Sequence, residues 1–283
     1  MDNKKITSEN EVYFLGSSKE QKKSGHFPKW TIIVGISLIV LLLAVWLFIA
    51  NKQQPDYYYE PEKNATVEVI DNNSPITQSG YIEVLEETVN DVPLFVYLPH
   101  NSEPSLQIGI PEKADSSIVF VAQAADIRAD NLGIVGDFVL KGKQITRGNA
   151  KKGFCAIINN KITIGEDKDT PLLQEAINQD GYFFRQYPLV TKGKPIENNP
   201  KNKAIRRALA VRNNLIIMVE SRSKESMHDF SQALIDIGIS DAIYLVGSTA
   251  YGWYYNDQRM PVEFGLEQEN QPPNTNYIVW RTK

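Results

Sequence analysis

Residues Lys203 to Tyr255 read KAIRRALAVRNNLIIMVESRSKESMHDFSQALIDIGISDAIYLVGSTAYGWYY. Four of the nine arginines (Arg206, Arg207, Arg212, Arg222) and one of the three histidines (His228) lie within it. Ala204 to Val211 alternates like a strand, and Asn213-Asn214 is a turn tolerant of positive φ. Leu215 to Val219 is a continuous apolar run of the length of a buried strand. Ser221 or Ser223 can cap a following helix, whose apolar positions Met227, Phe230, Leu234 and Ile237 recur at spacings of three and four. Gly238 stands where a glycine just past a helix C-terminus belongs. Ala242 to Val246 is a second buried strand, opening into the loop GSTAYG. Strand, turn, strand, helix, strand is therefore the expected order. If the last strand returns parallel to Leu215–Val219, a right-handed crossover is the default.

Outward from this unit, the chain divides by composition. Its 283 residues are 42% hydrophobic and 23% charged, which excludes a disordered chain or a multispanning membrane protein. Residues 1–29 are polar and contain six lysines against four acids, and they read as a cytoplasmic tail. The twenty residues 31–50, TIIVGISLIVLLLAVWLFIA, carry no charge. With Trp30 they form an expected transmembrane helix at 30–50, long enough for a bilayer core of about 30 Å. A signal peptide would have a shorter apolar region followed by small residues, and Asn51-Lys52-Gln53-Gln54 offers no such cleavage site. The excess of lysine ahead of the span places the N-terminus inside the cytoplasm and the rest in the periplasm or outside. Residues 51–79, rich in Pro, Asn, Gln and Tyr, read as a linker, and Asn64-Ala65-Thr66 within it is a glycosylation sequon.

Residues 80–283 are globular in pattern. Tyr81–Glu86, Leu94–Tyr97, Ser117–Ala122, Gly133–Leu140, Phe154–Ile158, Lys161–Ile164, Tyr182–Tyr187 and Asn274–Arg281 are strand candidates. Asn159-Asn160 repeats the turn chemistry of Asn213-Asn214, and Thr170-Pro171 begins a short helix. The expectation is an α+β domain with a mixed sheet, hairpins and a few flanking helices. Beyond residue 30 the chain carries 24 basic and 30 acidic residues, and this acidity argues against nucleic acid as a partner. A lone cysteine, Cys155, excludes internal disulfides and reads as a small buried hydrophobe.

No metalloprotease, P-loop or nucleophile-elbow motif is present. The candidate residues follow from local chemistry. Arg206 and Arg207 are adjacent on a strand and so face opposite sides, one of them covered and in need of an anionic partner. Glu220, beside Ser221-Arg222-Ser223, is either an acid or base or the partner of an arginine. Asp137, between Gly136 and Phe138, either faces solvent from a bulge or points into a site. His228 is either a surface residue or a catalytic one. Gly247 and Ser248 form either a tight turn or a ligand-binding loop at a strand end. Tyr251, Trp253, Tyr254 and Tyr255 either pack or offer a platform for a sugar ring.

Taken in series, GIVGDFVLKGK, IRRALAV, VESRSKESMHDFSQALIDIG and DAIYLVGSTAYGWY resemble the phosphodiester glycosidase family over roughly residues 115–281. The resemblance is closest to membrane-anchored, Bacteroidetes-type bacterial members. It implies a hydrolase of a sugar-1-phosphodiester or a related envelope glycan. Asp137, Glu220 and His228 would supply acid and base, and Arg206, Arg207, Arg222, Gly247, Ser248, Tyr251 and Trp253 would bind a phosphorylated or anionic glycan. No cofactor or metal is expected. The chain departs from the family at three polar positions, which here are Val135, Ala208 and Val246. These departures keep a second expectation open, a domain that holds such a glycan, or sits in an envelope complex, without cleaving it.

Overall fold

The computed structural model describes residues 79–283, so the tail, the span expected at 30–50 and all but the last residue of the linker lie outside the described residues. Among the described residues, no helix is long and apolar enough to cross a membrane. The described residues form seventeen strands and two helices. The first strands are β1 (Tyr81–Val89), β2 (Val92–His100), β3 (Ser102–Ile108), β4 (Ile118–Gln123), β5 (Phe138–Leu140), β6 (Lys143–Thr146), β7 (Gly153–Ile158) and β8 (Lys161–Glu166). Helix α1 (Leu172–Asn178) precedes β9 (Tyr182–Gln186), β10 (Pro188–Thr191), β11 (Lys194–Pro195), β12 (Arg207–Arg212) and β13 (Leu215–Ser221). Helix α2 (Met227–Asp236) then leads to β14 (Ile239–Leu245), β15 (Gly252–Tyr255), β16 (Pro261–Phe264) and β17 (Asn276–Thr282).

This corrects the α+β expectation: the structure is mostly β, 49% strand against 8% helix. The cause is visible in the turns. Asn90-Asp91, Asn159-Asn160 and Asn213-Asn214 all take positive φ at both positions and close two-residue hairpins. Hairpins make antiparallel neighbours, so every ladder in the three sheets is antiparallel rather than mixed. Strand orders are β1-β2-β13-β12-β14-β10-β11, β16-β15-β4-β17-β3 and β6-β5-β9-β7-β8. Because β12 pairs antiparallel with both β13 and β14, those two run in the same direction with β12 between them. Helix α2 therefore bridges parallel strands that are not adjacent.

The inner faces of all three sheets share one core, in which Leu209, Met218 and Ile243 of the first meet Phe120, Ile278 and Trp280 of the second and Phe138, Cys155 and Phe184 of the third. Helix α2 covers the other face of the first sheet, with Met227, Phe230 and Leu234 packed on Ala208, Ala210, Ile217 and Val219. Its cap is Ser226, whose Oγ accepts the Asp229 amide at 3.0 Å, and not Ser221 or Ser223. Ser221 still belongs to β13, where its Oγ accepts the Arg206 amide and donates to Ser223 O. Helix α1 covers the outer face of the third sheet through Ala176.

Candidate functional site

The strand ends of all three sheets meet around a cavity of about 600 Å³. Gln123 closes β4 and Asp126 follows it; Lys151 precedes β7; Tyr187 follows β9; Val246, Thr249 and Ala250 follow β14; Tyr251 precedes β15; Thr275 precedes β17 and Tyr277 lies in it. Gln268 and Gln271 complete a lining of amides, hydroxyls and tyrosine rings.

Lys151 is 7% exposed and is the charged centre of this wall. Its ammonium donates to Asp126 Oδ2 and to Gln186 Oε1, and it stands 4.0 Å from the centroid of the Tyr187 ring. Burial pulls the Lys151 amine below the ordinary lysine range, and the Asp126 charge opposes this. Gln186 is wholly buried, and its Nε2 has no hydrogen-bond partner among the described residues. A lysine held between a carboxylate, an amide and a ring has its donors committed, so its effect is to orient Asp126. The Asp126 side chain keeps 33% exposure. Among the residues lining the cavity, Lys151 is the only cation and Asp126 the only carboxylate.

The residues expected from the sequence surround this cavity more than they line it. Tyr251 lines it, and so do Val135 and Val246, two of the three positions at which the chain departs from the family pattern. The third, Ala208, is buried in the sheet under α2. Arg207 and Glu220 face each other across β12 and β13 and form a buried ion pair. The same guanidinium donates from Nη1 to Val246 O at 3.2 Å and to Ala250 O at 2.7 Å, and it stands 4.5 Å from the Phe264 ring centroid. The pair thus clamps the 246–250 loop. Asp137 is likewise paired, with buried Arg185, Nε to Oδ2 2.7 Å. Asp137 Oδ1 accepts the Gly148 amide at 3.0 Å, and its own amide donates to Gly148 O at 2.7 Å. This second clamp closes the base of the loop that carries Ala150 and Lys151.

The remaining residues lie elsewhere. Arg206 faces the α2 side, where its Nε donates to Glu225 O and its Nη2 to Asn202 O. Arg222 is exposed and pairs with Glu86. His228 is exposed, its Nδ1 2.8 Å from Glu197 Oε1. Ser248 is exposed at φ 55°, and Trp253 is buried on the outer face of the second sheet. Gly247 is required sterically, because a Cβ there would lie 2.1 Å from Ile205 O. Lys151, Asp126 and Gln186 did not stand out in the sequence. The signal they left is weak: Asp126 is the first charge after a run from Ser116 to Ala125, and Lys151 stands at the entry to a fully buried strand.

No protein-family model matches the sequence, and no curated protein matches it. Among solved structures, the chain is similar to the zebrafish N-acetylglucosamine-1-phosphodiester alpha-N-acetylglucosaminidase catalytic domain, auto-inhibited by its pro-peptide. That match has a TM-score of 0.51 and 12% identity, and covers 75% of this chain and 85% of that one. A hypothetical protein from Synechocystis matches with a TM-score of 0.43 and 12% identity, over 71% of this chain and 62% of that one. The chain thus has, at a distance, a phosphodiester glycosidase-like fold.

Proposed function

We propose that the domain holds a glycan of the sugar-1-phosphodiester class in the cavity at the junction of the three sheets. The lining carries this reading. Tyr187, Tyr251 and Tyr277 present aromatic rings, while Gln123, Gln268, Gln271 and Thr249 present amides and a hydroxyl, the mixture that suits a sugar ring. Lys151 is the one lining cation, and a phosphoryl oxygen would gain its ammonium only by displacing Asp126.

Hydrolysis is the second reading, favoured by the fold shared with a phosphodiester glycosidase and by a carboxylate oriented toward the cavity. Asp126 would then be the proton-transfer group, and not Asp137 or Glu220, each of which is held by a buried arginine. Glycosidases that work with paired carboxylates need two in the site, and this lining offers one. That count places binding ahead of cleavage. The lysine-rich tail before the uncharged run 31–50 supports an extracytoplasmic domain, which a C-terminal reporter fusion would test by its side of activity.

Calorimetry and product analysis on the same samples separate the readings. The full chain is titrated with a sugar-1-phosphodiester panel alongside the Lys151→Ala and Asp126→Asn variants. Binding without product, weakened at least tenfold in Lys151→Ala, is the expected result. Product that disappears in Asp126→Asn while binding persists establishes hydrolysis. A panel with no heat and no product overturns both.

A further inference from the structure

The cavity at the junction of the three sheets changes chemistry along the chain that leaves β4. Gln123, the last residue of β4, lies opposite Tyr277 in β17, whose hydroxyl donates to Gln271 Oε1. This part of the lining is amide and phenol. Asp126 follows, bonded to the Lys151 ammonium. Next to it come Ile127, which is bridged to Ile134, and Val135, whose amide donates to Asp126 O at 2.8 Å. Both line the cavity half-buried, and Ala150, which also lines it, adjoins Lys151. The ion pair therefore stands between a polar part of the lining and an apolar one. Main-chain groups beside the apolar part are engaged as well, since the Arg128 amide donates to Gly133 O at 2.8 Å.

We propose that the apolar part, Ile127, Val135 and Ala150, selects a phosphodiester whose second alcohol is a hydrocarbon chain rather than glycerol or another sugar. The inference rests on the reading of the cavity as a sugar-1-phosphodiester site. With the sugar on the tyrosine and amide side and the phosphoryl group at Lys151, the group on the far side of phosphorus meets Ile127 and Val135. Hydroxyls placed there lose water without gaining partners, because these side chains carry no polar atoms and the Val135 and Arg128 amides are engaged. Methylenes placed there gain by leaving water. A tenfold preference, about 1.4 kcal/mol, asks for about two of them to be covered.

Calorimetry on the full chain tests this with two pairs of compounds. One pair is the hexyl and glyceryl diesters of a single sugar 1-phosphate; the other is methyl hexyl phosphate and methyl glyceryl phosphate, which carry no sugar. The hexyl diester of the sugar phosphate is expected to bind at least tenfold more tightly than the glyceryl one, and the sugarless pair to keep that order. Val135→Asn should cut the ratio at least fivefold, while Met260→Asn, at an exposed apolar residue outside the cavity lining, should leave it unchanged. Equal affinities within the sugar pair overturn the inference and leave the phosphodiester site standing. A hexyl preference that Val135→Asn does not alter also overturns it, since the hydrocarbon is then held elsewhere. A hexyl preference in the sugarless pair, with no heat from either sugar diester, keeps the apolar part and overturns the sugar reading. No heat from any of the compounds overturns both.

Discussion

Arg207 acts on the cavity without lining it, and its effect is that of a buried ion pair used as a fastener. Breaking such a pair by removing one partner leaves an uncompensated charge, a loss of roughly 3–5 kcal/mol. Arg207→Met is expected to lower stability in urea by that order, and to lower glycan affinity further by freeing the carbonyls of Val246 and Ala250. Tyr97 lies behind this pair. Burial pushes its phenol well above the ordinary tyrosine value of 10.0, and the neighbouring Glu220 charge adds to the shift. The folded state thus keeps a proton that the unfolded chain releases above pH 10, so Tyr97 costs stability as pH rises past that point. Tyr97→Phe, which has no phenol to ionise, should flatten the alkaline fall; unfolding curves at pH 7 and pH 10.5 check it. The opposite facing of Arg206 and Arg207 was legible, because strand geometry dictates it. The grouping of Lys151, Asp126 and Gln186 was not. They come from three separate strand ends, 25 and 35 residues apart from Lys151, and only the sheet topology brings them together.

At the scale of elements, the turns were the most legible feature and the edge strands the least. Two Asn-Asn pairs announced their hairpins, because asparagine tolerates the left-handed region that two-residue turns demand. Replacing Asn214 by Gly, the residue favoured at the second turn position, should raise stability by a few tenths of a kcal/mol in denaturant titrations. The periodicity of α2 was equally clear, though its first turn was not, since three serines compete and only the fold shows Ser226 meeting the Asp229 amide. Leu234, wholly buried on the sheet-facing side of α2, should cost roughly 2–5 kcal/mol as Leu234→Ala, measured as a shift in the unfolding midpoint. β3 (SEPSLQI) escaped notice because an edge strand does not need strong apolar alternation, and Pro104 is tolerated there. The strand expected over Gly133–Leu140 shortens to Phe138–Leu140, since Gly136 turns at φ 89° and would bring a Cβ within 2.9 Å of Arg185.

For the whole molecule, the α+β expectation failed for one reason: hairpin turns and apolar runs were legible, but which run neighbours which was not. The shared core of the three sheets is a consequence of that pairing, as is the cavity at their ends. The arrangement also bears on how the chain reaches its native state. β17 is an interior strand of its sheet, between β4 and β3, yet its partners are far away in sequence, with Tyr277 beside Gln107 and Trp280 beside Phe120. Pairings across such long loops are slow to form, and folding dominated by them takes milliseconds to seconds. During synthesis, β3 and β4 are complete long before the strand that separates them emerges. Until then both present open edges and apolar side chains, a state that invites intermolecular pairing. The newly made chain is thus at its most aggregation-prone in the interval before residues 276–282 are added.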